Sequence, residues 1–257
     1  MTSPSPTGEV CPPRVGRVTL ALVAMGVPGL LSLFLVYPPS GGVAPWAILA
    51  NPAILLAAFA FAGASAAPVA GFSSRVAGRV AGANTSLVPD QWHRFLALGI
   101  VLGCAVGIAD HVTRPLWQAV HAGPPSLVEA WSPAGLVVGV FYGGVIEEII
   151  MRWGLMSLLV VVFRRLFGRG APRPSSNVVW CAITLSALIF AAGHLPGLAA
   201  EGAVIGGPLL FRTLLWNGLL GVVFGAVFAH RDLESAMLCH AGFHIGLIPA
   251  ALLFFSL

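Results

Sequence analysis

The stretch AGLVVGVFYGGVIEEIIMRWGLMSLLVVVF, residues 134–163, is apolar from end to end except for Glu147, Glu148 and Arg152. A helix that crosses a bilayer needs about 20 apolar residues. This run has roughly 30 and must tilt, bend or project. Ionisable side chains at such depth are costly and face a bundle interior or a wet cavity rather than lipid.

The rest of the chain fits the same solvent. The protein has 257 residues, 58% of them hydrophobic and 9% charged, against about 25% charged in ordinary soluble domains. A soluble fold of that size needs more polar surface, so the expected class is an all-α, polytopic membrane bundle. Seven spans are predicted, at about 18–36, 43–64, 95–111, 134–163, 177–194, 209–229 and 235–256. Residues 1–17 read as a short disordered tail, and 18–257 as a single transmembrane domain. The run after Arg14 and Arg17 is nearer a full span than a signal h-region, and reads as a retained first helix.

All thirteen basic residues are arginine. If the seven spans are right, Arg14, Arg17, Arg75, Arg79, Arg94, Arg164, Arg165, Arg169, Arg173 and Arg231 share one side, with Arg114 and Arg212 opposite. The positive-inside rule then puts the N-terminus in the cytoplasm and the C-terminus outside. The net charge of +4 therefore requires no nucleic-acid partner. Residues 65–94 form a cytoplasmic loop that can carry an interfacial helix. Trp117 and Trp131, in the outer loop 112–132, are placed for the headgroup level. Cys104, Cys181 and Cys239 lie in apolar segments and are expected as small buried hydrophobes, while Cys11 falls in the tail.

Few polar side chains fall within spans. Glu148 and Arg152, at i and i+4, share a helix face with the acid in the favourable N-terminal position. Glu147 is rotated about 100° away. Two adjacent carboxylates repel, so Glu148 is expected as a fixed anion and Glu147 as the tunable one, able to take a proton from water. In the competing reading the three charges only lock helix packing. His194 closes the fifth span before Pro196 and Gly197, and His240 and His244 stand one turn apart on the seventh. That His-x-x-x-His spacing suits a divalent metal such as zinc, with Glu147 or His194 completing the ligand set. It suits equally well imidazoles that hold water and stabilise an oxyanion without metal. Ala241 stands where the H-E-x-x-H motif has its glutamate. Neither a G-x-S-x-G motif nor an aspartate deep within a span is present, which disfavours serine and aspartyl intramembrane proteolysis.

Glu147-Glu148-x-x-x-Arg152, Phe190-x-x-x-His194 and His240-x-x-x-His244, in that order on successive late helices, resemble the CAAX protease and bacteriocin-processing (abortive-infection-type, CPBP) intramembrane proteases. The resemblance covers about 134–250 as the catalytic core. It implies peptide-bond hydrolysis in the membrane by a water that Glu147 activates and His194 helps hold. His240 and the residue at position 244 would stabilise the oxyanion, and Glu148 and Arg152 would support the site. The last position is usually Asn or Asp in that family, and here it is His244, which makes a metal ligand more plausible. The implied partners are the lipid bilayer and a membrane-anchored peptide or protein. Eukaryotic relatives act on prenylated C-termini. The arginine-only, alanine- and glycine-rich composition looks bacterial, so peptides, bacteriocins or sorting segments at the inner membrane fit better. The competing functions are a non-catalytic scaffold, such as a bacteriocin self-immunity protein, and a small transporter or metal carrier.

One spacing is at odds with this site. On straight spans His240 lies about five residues, roughly 8 Å, from its cytoplasmic start, and His194 about 17 residues, roughly 25 Å, from its own.

Overall fold

The computed structural model describes residues 15–38, 44–118, 123–167 and 173–255. These are helical throughout their ordered elements, with no strand among them. Six helices are long and apolar enough to cross a membrane: α1 (Val15–Ser32), α2 (Pro45–Ala70), α4 (Trp92–Val112), α8 (Ser176–Gly193), α10 (Gly207–His230) and α11 (Leu233–Phe254). The remaining predicted span is one unbroken helical rod. It comprises α6 (Pro133–Val138), two π-helical segments (Gly139–Glu147 and Ile149–Met156) and α7 (Ser157–Phe167). Wide i→i+5 winding is rare and usually lasts a single turn, often at functional sites. Here it covers Glu147 and Arg152, with Glu148 at the join between the two segments. Short helices α3 (Arg75–Val80), α5 (Arg114–Trp117) and α9 (Leu195–Ala200) lie in the connections.

The expected span boundaries hold to within a few residues, except that α2 runs on to Ala70. Helix α1 already begins at Val15, so it takes up the end of the segment expected as tail; Cys11 and Arg169 lie outside the described residues. The segment 65–94 does carry a short helix, α3. Its first turn is capped by the Glu234 carboxylate, which accepts from Arg75 N (2.8 Å), Val76 N (3.0 Å) and Ser74 Oγ (2.7 Å).

Packing depends on small residues, as expected where lipid offers apolar helices no reason to separate from it. On α4, a Cβ at Gly99 or Gly103 would fall on the α11 backbone at Cys239 or Phe243. One core cluster joins α1, α2, the π segments, α7, α8 and α11 around Leu22, Leu56, Ile146, Trp153 and Ile183.

Two expectations about individual residues fail. Cys239 is buried and Cys104 half-buried, but Cys181 is exposed. The outer face of a membrane helix can meet lipid, so an apolar segment need not bury each of its side chains. Trp117 is buried rather than at the headgroup level: its ring lies under the Arg212 guanidinium at 4.2 Å, and Trp131 packs partly buried against the α4–α11 cores.

Candidate active site

The π segments and α11 meet through glycine. A Cβ on Gly139 would strike the His244 ring. One on Gly143 would come within 2.8 Å of His244 Nε2 and 3.4 Å of His240 Nε2. Gly144 faces Ala241 in the same way. These glycines let two imidazoles lie against the backbone of the rod that carries the carboxylates. The His240 and His244 rings stack at 5.2 Å with planes 19° apart, and Phe224 of α10 stacks on the other side of His240 at 4.5 Å.

The two adjacent glutamates separate as the helix-face argument expects. Glu148 is 0% exposed and pairs with Arg152, itself 1% exposed, at 3.3 Å. Arg152 Nη2 donates to the Gly221 carbonyl (3.2 Å), and its guanidinium lies over the Phe190 ring at 5.0 Å. The new element is a third partner. His240 Nδ1 lies 2.8 Å from Glu148 Oε1. An ionised carboxylate only accepts, so Nδ1–H donates and Nε2 turns the other way. There it meets Glu147 Oε2 at 3.9 Å. The Glu147 side chain is 23% exposed and reaches a cavity of about 840 Å³ lined also by Phe190, His194, His240 and His244. A local signal for the Glu148–His240 bond does not exist, because its two residues are 92 apart in sequence.

His194 joins the same cavity despite the depth mismatch. Its ring is 4.7 Å from Phe190, which in turn is 6.2 Å from His240. Helix α8 stops at Gly193 and the chain turns into α9. The first turn of α11 (Leu233, Glu234, Ser235) is buried beneath α3, so that helix starts inside the fold rather than at its surface. Counting each helix from a common surface overstated the gap. His194 Nδ1 donates to the Phe190 carbonyl at 2.9 Å, which leaves Nε2 as an acceptor.

The four candidate metal ligands Glu147, His194, His240 and His244 do not gather as a ligand set. The imidazoles of His240 and His244 are face to face rather than edge-on to a common point. Among the described residues no three His, Cys, Asp or Glu side chains converge closely enough to hold a metal ion.

At the loop end of the cavity stands a second charged group. Asp110, 0% exposed, accepts from Arg212 Nε (2.7 Å), Arg212 Nη2 (2.8 Å) and Leu127 N (2.8 Å). Both ends of this pair were visible as charges near span ends, but nothing local couples α4 to α10. Nearby, Arg114 pairs with Glu129 and Gln118.

Residues 129–246 match the family model described as type II CAAX prenyl endopeptidase Rce1-like. No curated protein and no solved structure gives a significant match. The matched segment holds the whole rod from α6 through α7, His194 and both α11 histidines, and over that segment the chain is similar to the CAAX-protease (CPBP) family of intramembrane proteases.

Proposed function

We propose that this protein is an endopeptidase that cuts membrane-associated peptides within the bilayer, with Glu147 as general base. The observation that carries the reading is the division of labour between neighbours. Glu148 is buried and committed to Arg152 and His240, while Glu147 is open to a cavity that His194 and His240 share. A water held by the His194 Nε2 acceptor gives its proton to Glu147 and attacks the scissile carbonyl carbon. The carbonyl oxygen becomes an oxyanion. His240, held by Glu148 through Nδ1, faces that oxyanion with its Nε2 edge. The proton on Glu147 then passes to the leaving amine as the C–N bond breaks.

His244, stacked on His240, offers a second imidazole to the oxyanion from the position where the family has Asn or Asp. The cavity wall contributed by Leu33, Val36, Ile48, Leu55 and Met151 is apolar and suits a lipid-anchored or hydrophobic peptide. Bacterial inner-membrane placement with a cytoplasmic N-terminus is the orientation that the arginine distribution supports.

Hydrolysis in ¹⁸O water tests the chemistry. One ¹⁸O should enter the new C-terminal carboxylate of the product in a single turnover, as read by mass spectrometry. Label found on Glu147 instead would mean a covalent acyl intermediate and overturn the general-base assignment.

A further inference from the structure

Tyr142 stands on the rod beside the carboxylates and has no part in the steps above. The chain has two tyrosines, Tyr37 and Tyr142, and both line the catalytic cavity. Tyr142 belongs to the first π segment, five residues before Glu147. In an α-helix, side chains five apart diverge by about 140°. Hydrogen bonding of residue i to i+5 brings such residues instead to adjacent positions on one face. Both side chains accordingly reach the cavity that His194 lines, and the phenol lies within electrostatic reach of the Glu147 carboxylate. The Tyr142 ring is half-buried against the core that joins α1, α2 and the π segments, which holds it in place. Its hydroxyl has no hydrogen-bond partner among the described residues. The Glu147 carboxylate accepts no hydrogen bond among them either, with His240 Nε2 at 3.9 Å. Other donors that line the cavity are committed elsewhere. Thr213 Oγ1 donates to the Leu209 carbonyl (2.8 Å), Asn217 Nδ2 to the Thr213 carbonyl (3.0 Å), and Arg212 is held by Asp110.

We propose that Tyr142 is a further catalytic residue, whose phenol O–H donates a hydrogen bond to the attacking water. This rests on the proteolytic reading above and completes the set of groups around that water. A water molecule has two hydrogens and two lone pairs. His194 Nε2 and the Glu147 carboxylate are both acceptors, so they take the two hydrogens. Neither of them fixes which lone pair points at the scissile carbon. A donor on one lone pair leaves the other free for attack and sets its direction. As the new C–O bond forms, the water's proton moves to Glu147. The phenol keeps its own proton throughout and steadies the oxygen while that oxygen is hydroxide-like. The π winding has a use in this arrangement, since it puts donor and base on one face of a single helix.

Two measurements on the full-length protein test the proposal. The first needs no substrate. A high-resolution experimental structure of the wild type should show an ordered water within about 3 Å of Tyr142 Oη, a Glu147 oxygen and His194 Nε2 together. The second is cleavage of an internally quenched, S-farnesylated peptide by detergent-solubilised protein. Tyr142→Phe keeps the ring and removes the donor. It should lower kcat by about 10²-fold, the scale of one transition-state donor, with KM within about twofold and the melting temperature of wild type. Tyr37→Phe, in the same cavity, should stay within about twofold of wild type in both constants. Absence of that water, or a Tyr142→Phe protein that cuts within about threefold of wild type, would overturn the inference. So would a Tyr142→Phe loss that falls on KM alone. Failure of the proteolytic reading would show differently, with the water in place and Glu147→Gln cutting like wild type.

Discussion

Two buried ion pairs stand along one cavity, and they are built differently. At the loop end, Asp110 has both oxygens occupied, by two Arg212 nitrogens and a backbone amide, all at 2.7–2.8 Å. In mid-bundle, Glu148 uses one oxygen for both His240 and Arg152. Its Oε2 has no hydrogen-bond partner among the described residues, and neither has Arg152 Nη1, for which Glu148 at 3.3 Å is only a loose contact. A carboxylate held by protein groups through both oxygens is fixed in place more firmly than one held through a single oxygen. The first pair fixes a helix junction and a guanidinium. The second holds an imidazole whose other edge faces Glu147.

Substitutions can break this contrast. Glu148→Gln should cut turnover by about 10²-fold or more, since it removes the acceptor that orients His240. It should also destabilise by about 3 kcal/mol or more, because Arg152 is left as a buried uncompensated charge. Adding Arg152→Met should return much of the stability, read by thermal shift, and none of the cleavage. Asp110→Asn should cost a similar amount of stability through Arg212. Its turnover at saturating peptide should stay within a few-fold of wild type, with the change falling on KM. Equal losses of turnover in Glu148→Gln and Asp110→Asn would erase the distinction.

Smaller effects sharpen it. Gly143→Ala puts a methyl 2.8 Å from His244 Nε2. It should lower activity through displaced rings and cost about 1–3 kcal/mol. Gly218→Ala, on the cavity-lining helix α10 and with nothing within 4 Å, should be neutral or slightly stabilising. The smallest effect belongs to the exposed arm of the α3 network. Asp90, 91% exposed in its pair with Arg75, should change stability by no more than about 0.5 kcal/mol as Asp90→Asn.

The parts legible in the sequence are those with local or periodic causes. Apolar run length marks the spans, and i,i+4 spacing pairs Glu148 with Arg152. The three short motifs, taken in order, point to His194 and His240. What the sequence left out is non-local. The bond from Glu148 to His240, the bond from Asp110 to Arg212 and the capping of α3 by Glu234 each join residues about 90 or more positions apart. Gly139 and Gly143 did carry a signal. Two glycines four apart, matched with two histidines four apart, mark a surface where rings pack on backbone. Winding hid the rest: the π segments change which side chains share a face, and no propensity rule anticipates two of them in succession. Burial of Trp117 depended on Arg212, a residue of another helix.

The central claim is that Glu147, not its neighbour, is the working base. The direct measurement is cleavage of membrane-anchored peptides by purified, detergent-solubilised protein, comparing wild type with Glu147→Gln, each with and without chelator. Wild type should cut, and Glu147→Gln should lose on the order of 10³-fold or more while melting at the wild-type temperature. Imidazoles that act without metal leave the wild-type rate unchanged by chelator, and a chelator-sensitive rate would give His240 and His244 to a metal. Glu147→Gln cutting as fast as wild type would contradict the account and leave the carboxylates as packing charges.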